Sequence, residues 1–189
     1  MDGPAGAAPV AGRPGVSAAA TVVAVQTVAP SARRRVVVIG VGNEMRRDDG
    51  AGIAVVERAR PLLPPDVEVR TLGGEATALL DAWAGADLAV VVDAVRWAHS
   101  PATGVTRIDV TSAPDEVSGF EAGTSSHGLG VAAALALGRA LERLPPRLIL
   151  LLIALAEEGH GEGLSPTVEQ HVDDAVALLL AEVQPGVSV

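Results

Sequence analysis

RVVVIGVGNEMRRDDGAG, residues 35–52, is the stretch that decides the fold. Its apolar run Val36-Val37-Val38-Ile39 ends in Gly40-Val41-Gly42-Asn43. Two carboxylates, Asp48 and Asp49, follow, and apolar residues then resume at helical spacing. A buried strand that opens onto a glycine turn and leads into a helix has this signature. Open α/β sheets bind their ligands outside the carboxyl ends of the strands, so the polar residues of this turn are candidates for a site.

Working outward, Ala51, Ile53, Ala54, Val55, Val56 and Ala59 give a helical pattern that stops at Pro61. Residues 67–72 alternate apolar with polar and suit a second strand with one wetter face. Gly73-Gly74 turns the chain, and a helix is expected from about 75 to 83, opened by the acid Glu75. A third strand over 88–92, apolar on both faces as a covered parallel strand should be, finishes in Asp93-Ala94-Val95. Residues 105–110 read as a short edge strand with room for antiparallel pairing, and 111–126 as a long exposed loop.

A helix over 131–141 follows. Ser125 or Ser126 is its candidate N-cap, with His127 in the first turn. The apolar run 147–156 is a further strand, ended by the acidic, glycine-rich loop 157–163. Ser165 then caps a last helix whose first residue is Pro166. Strands and helices in alternation predict a three-layer α/β sandwich around a twisted, mostly parallel five-stranded sheet, one edge strand of which can be antiparallel.

Three segments follow from composition. Residues 1–33 are rich in Ala, Gly and Pro, lack a basic n-region, and read as a flexible extension or an over-long translation start rather than a signal peptide. Residues 34–184 form a single α/β domain, and 185–189 a short tail. The chain of 189 residues is 49% hydrophobic, but its only aromatic residues are Trp83, Trp97 and Phe120, so the core is built from Val, Leu, Ile and Ala.

A formal charge of -9 argues against nucleic acid as a partner. No apolar run reaches the length of a membrane span, and a cytoplasmic location is expected. The absence of cysteine excludes thiolate catalysis, disulfides and Cys-ligated metal.

Position along the chain singles out Asp49 after strand one, Asp93 after strand three and His127 before the third helix. Two carboxylates and an imidazole can hold a divalent cation, or a carboxylate can orient the histidine for acid/base work. Sequence leaves both chemistries open. Each residue also has an ordinary reading, as a cap, a strand terminator or a loop hydrogen-bonder, and Asp48 is expected in such a structural role. His160 and His171 are further possible ligands; for His171 a plain helix-surface role is expected, and for the 157–163 loop a place near the active edge. Gly40-Val41-Gly42 begins like a dinucleotide fingerprint, but the pattern stops there and the acids at 48 and 49 would repel a pyrophosphate. Neither a P-loop, a G-x-S-x-G elbow nor H-E-x-x-H is present.

In their order and spacing, GVGNEMRRDDGAG (residues 40–52), Val91-Val92-Asp93-Ala94-Val95 and Ser126-His127-Gly128-Leu129-Gly130 resemble the hydrogenase maturation protease family. Gly161-Glu162-Gly163-Leu164-Ser165-Pro166 adds a fourth similarity. The resemblance implies an endopeptidase that removes the C-terminal extension of a nickel-iron hydrogenase large subunit after nickel insertion. It implies Asp49, Asp93 and His127 as the metal-contacting and catalytic residues. It also implies nickel carried by the precursor rather than a permanently bound cofactor, and a monomer that meets the precursor transiently.

One departure stands out. Many relatives carry an acid immediately before the glycine turn after strand two, where this chain has Leu72-Gly73-Gly74-Glu75, leaving Glu75 to supply charge from another position. The competing readings are a maturation chaperone that binds metal or peptide without turnover, and a nucleotide-binding enzyme.

Overall fold

Five strands and four helices follow one another in the computed structural model, which describes residues 34–96, 104–112, 128–156 and 159–184. They are β1 (Val36–Val41), α1 (Ala51–Ala59), β2 (Glu68–Leu72), α2 (Ala76–Trp83), β3 (Leu88–Val95), β4 (Val105–Asp109), α3 (Gly128–Ala140), β5 (Arg147–Ala154) and α4 (Pro166–Val183). The sheet order is β2-β1-β3-β5-β4. All pairings are parallel except that of β4, which runs antiparallel to β5 at the edge. The expected three-layer architecture is therefore present, with the antiparallel strand where the sequence left room for it.

The two-residue period of the strands sorts the core into two halves. Val37, Ile39, Ala89, Val91, Leu148 and Leu150 face α2 and α3, where they meet Leu79, Trp83, Val131 and Leu135. Val36, Val38, Val90, Val92, Ile149 and Leu151 face α1 and α4, where they meet Val55, Val56, Val172 and Leu179. Among the described residues Trp83 is the largest buried side chain, and its indole N–H donates to the Arg143 carbonyl at 3.1 Å, so the one polar atom of that ring is satisfied. At the β4 edge, Glu182 of α4 accepts from Arg107 Nε at 2.5 Å and from Arg147 Nη2 at 2.9 Å, tying the antiparallel strand to its neighbour and to a helix.

Element ends differ from the sequence reading in several places, among them the start of α3, at Gly128 rather than residue 131. β3 does not finish at residue 92: Asp93, Ala94 and Val95 pair with Leu152, Ile153 and Ala154, because β5 continues to offer a partner after β1 has left. Asp93 thus lies inside the strand. β5 stops at Ala154 rather than 156, and Glu75 is the N-cap of α2 rather than its first residue. Among the described residues no helix is long and apolar enough to cross a membrane. Residues 1–33 and 185–189 lie outside the described part of the chain.

Candidate active site

The sheet has its switch point between β1 and β3: from β1 the chain crosses to β2 on one side, then returns to β3 on the other. Crevices open at such points because the two departing connections diverge. Strand length sharpens the opening here. The last β1–β3 pair is Gly40 with Val92, whereas β3 runs on to Val95, so Asp93 occupies the first position at which β3 no longer has β1 beside it. By alternation with Val91 and Val95 it projects toward the α2/α3 side.

The segment leaving β1 is folded tightly. Residues 47–50 form a 3-10 turn leading straight into α1. Asn43 N–H donates to the Asp49 carbonyl at 3.3 Å, and Asp49 N–H to the Arg46 carbonyl at 3.3 Å. Gly42 makes the fold-back possible, since a Cβ there would sit 2.0 Å from the Asp49 carbonyl oxygen. Gly52 does the same for α1, whose N-terminus rests directly on the strand ends; a Cβ on Gly52 would lie 2.3 Å from the Val41 oxygen and 2.4 Å from that of Val92. These contacts hold Asp49 at the mouth of the crevice.

Asp49 is 9% exposed and Asp93 1%. Asp93 Oδ1 accepts the Ala94 N–H at 2.9 Å, while Oδ2 has no hydrogen-bond partner among the described residues. Burial pushes the Asp93 carboxyl well above the usual carboxylate range. The Ala94 N–H opposes that rise and the negative charge of Asp49 adds to it. Two acids therefore feel each other at the switch point, one of them deeply desolvated, which is the environment in which functional carboxylates occur.

Asp48, adjacent in sequence, faces the other way. It is fully buried; its Oδ1 accepts Ser165 N–H at 2.6 Å, and its Oδ2 accepts Ser165 Oγ–H at 2.9 Å and Ala156 N–H at 3.3 Å. Ser165 in turn caps α4 by accepting from Val168 N–H at 3.4 Å. The structural role expected of Asp48 is thus a cross-tie from the first turn to the start of the last helix. It does not cap α1, whose N-cap position is Gly50.

A second tie runs through the backbone. Arg46 and Gly161 form an isolated parallel bridge, with Arg47 N–H donating to the Gly161 carbonyl at 2.8 Å and Gly161 N–H to the Met45 carbonyl at 3.0 Å. Arg47 adopts φ 53°, a left-handed conformation costing a non-glycine residue about 1–2 kcal/mol. The position of the 157–163 loop directly after a central strand pointed to a place near this edge; the strained arginine gave no signal in sequence.

His127 lies outside the described residues. The helix that begins next to it, α3, is packed so closely on the turn after β2 that a Cβ on Gly130 would fall 1.7 Å from the Gly74 oxygen. Glu75, though at the N-cap of α2, makes no capping bond; its carboxylate lies back against Gly73, 3.1 Å from where a Cβ there would be. His160 is exposed and His171 half-buried within α4. Among the described residues no three His, Asp or Glu side chains are grouped to hold a metal ion. Asp49 and Asp93 supply two hard oxygen donors, and a third would have to come from elsewhere.

The profile of the HycI hydrogenase maturation protease family matches residues 53–182. The hydrogenase 2 maturation protease of Escherichia coli K12 is 33% identical over 155 residues, covering 79% of this chain and 91% of that protein. The hydrogenase expression/formation protein HupD of Rhodobacter capsulatus is 31% identical over 155 residues, covering 79% and 71%. Among solved structures, the hydrogenase maturating endopeptidase HybD of E. coli superposes with a TM-score of 0.66 at 28% identity, covering 78% of this chain and 91% of the other.

Proposed function

The chain belongs to the hydrogenase maturation protease family, and from that premise we propose that it removes the C-terminal extension of a nickel-iron hydrogenase large-subunit precursor once nickel is in place, with Asp49, Asp93 and His127 meeting the precursor's metal. The observation that carries this reading is Asp93. A carboxyl this deeply buried, with one oxygen lacking a partner among the described residues and a second acid beside it, is costly unless a cation or a proton compensates. A divalent ion on the substrate supplies that compensation, its charge favouring the ionised carboxylate that burial disfavours. Two carboxylates and an imidazole are a donor set nickel accepts.

The chemistry then follows from charge. The metal polarises the scissile carbonyl, water attacks its carbon, and a carboxylate or the imidazole takes the water's proton and returns it to the leaving amide nitrogen. No resident cofactor enters this scheme. A precursor without nickel brings no cation to the buried Asp93 carboxyl and binds less well, so the same side chains that cut also check that insertion is complete.

The experiment mixes the purified chain with nickel-loaded and nickel-free precursor and reads product mass. Cleavage of the loaded form alone supports the proposal. If the loaded form is folded and bound yet stays uncut, the protease reading fails and a binding chaperone takes its place.

A further inference from the structure

Beside the turn that carries Asp49 is a notch of about 140 Å³ lined by Glu44, Arg47, Gly50, Ala54, Gly163 and Leu164. We propose that it is a specificity subsite that receives one apolar side chain of the precursor peptide, a few residues from the cut bond. The proposal rests on the protease reading above and adds to it the part of the substrate that is read away from the metal.

Size is the first argument. A cavity of roughly 150 Å³ accommodates a benzene-sized group, so this notch suits a side chain of the Leu, Met or Phe class and is too small for two. The lining is the second. Ala54 and Leu164 are half-buried, packed on the α1/α4 half of the core, and form an apolar floor. Gly50 contributes no side chain, and a Cβ on Gly163 would meet nothing within 4 Å, so the space is left open where a larger residue would fill it. Glu44 and Arg47, both exposed, border the notch with long side chains, the kind whose stems cover apolar surface.

The third argument is that the notch is built before any peptide arrives. Its two walls, the 44–50 turn and the 163–164 segment, are joined beneath by Asp48 to Ser165 and beside by Arg47 to Gly161. A preformed pocket loses little on ordering when occupied. Continuity with the candidate active site names the occupant. Gly50 in the wall follows Asp49 in sequence, so an extended peptide lying across this turn to reach the acids passes the notch. Met45, on the same turn, is 60% exposed and adds an apolar side chain to this surface.

The test fills the notch in the full chain. Ala54→Val and Ala54→Leu remove its volume in steps, and circular dichroism verifies that each variant is folded. Affinity for the nickel-loaded precursor and steady-state cleavage are measured for wild type and both variants. The expected result is a graded loss of affinity, about tenfold or more for Ala54→Leu, the factor that keeping one Leu-sized side chain out of an apolar pocket corresponds to. KM should rise while kcat stays within about twofold, because the contact is made equally in ground and transition states. Replacing the precursor's apolar residues near the cut by Gly, one at a time, should reveal one position whose effect is large with wild type and absent with Ala54→Leu.

A folded Ala54→Leu with wild-type affinity and KM overturns the subsite. If wild type binds the precursor without cutting it, the protease reading fails while affinities still judge the subsite. If wild type does not bind, both fall.

Discussion

Replacing Asp48 tests whether the first turn and the last helix are held as one piece. In Asp48→Ala three donors lose their acceptor. Ser165 N–H, at 2.6 Å the shortest of the three and buried, has no water to turn to, and a stranded buried donor costs about 1–3 kcal/mol. Ser165 Oγ–H can rotate and recover part of its loss, leaving about 1 kcal/mol, and the α4 cap it provides weakens with it. Ala156 N–H, at 3.3 Å on an exposed residue, finds solvent and adds little.

The total is about 2–4 kcal/mol, a large share of the roughly 5–15 kcal/mol of a typical domain. Asp48→Asn keeps the shape but presents an amide N–H to one of the two Ser165 donors, and should lose about half as much. Urea unfolding gives both numbers from the shift in midpoint at unchanged slope. Ser165→Ala combined with Asp48→Ala should lose about 1 kcal/mol less than the two single losses added, since both break the Ser165 Oγ–H bond while the Ser165 N–H is stranded by the Asp48 change alone. A loss below about 1 kcal/mol for Asp48→Ala, or full additivity with Ser165→Ala, would refute the cross-tie.

Two further outcomes follow from the switch point. Gly52→Ala places a methyl against two strand-end carbonyls that cannot yield, so α1 must back away; a destabilisation of about 1–3 kcal/mol or more and a fall in kcat/KM are expected, read by thermal melting and the cleavage assay. Asp93→Asn separates stability from function. In the wild type the folded state holds the Asp93 proton to higher pH than the unfolded state, so stability falls as pH rises from the ordinary carboxylate value, about 3.9, through the raised folded value. The Asn variant lacks that decline and should gain on the wild type across the window in urea titrations, while cutting no precursor. Parallel stability profiles for the two proteins would contradict the raised pKa.

Much of this molecule was legible from local pattern. Val36-Val37-Val38-Ile39 before a glycine turn specified β1, and Ser165-Pro166 specified the start of α4 to the residue, because capping and proline geometry are set by near neighbours. What escaped depended on distant partners. β3 extends past residue 92 only because β5 is alongside, and an aspartate after a run of valines reads as a terminator until that partner is known. The role of Asp48 required Ser165, 117 positions away, and the strained Arg47 required Gly161. Of the candidate site, chain order brought Asp49 and Asp93 to one edge, and the path of β1 explains why Asp93 is the residue that faces the gap.

The two ties between the 43–50 and 161–165 segments have a consequence for motion. Amide groups of Arg47, Gly161 and Ser165 are far apart in the chain yet share one set of bonds, so in deuterated solvent they should exchange together, as a single opening unit, rather than each at its own rate. Loosening near the front of the last helix would then be felt at once where Asp49 sits, and slow breathing of the C-terminal third sets how long that carboxylate keeps its position at the crevice.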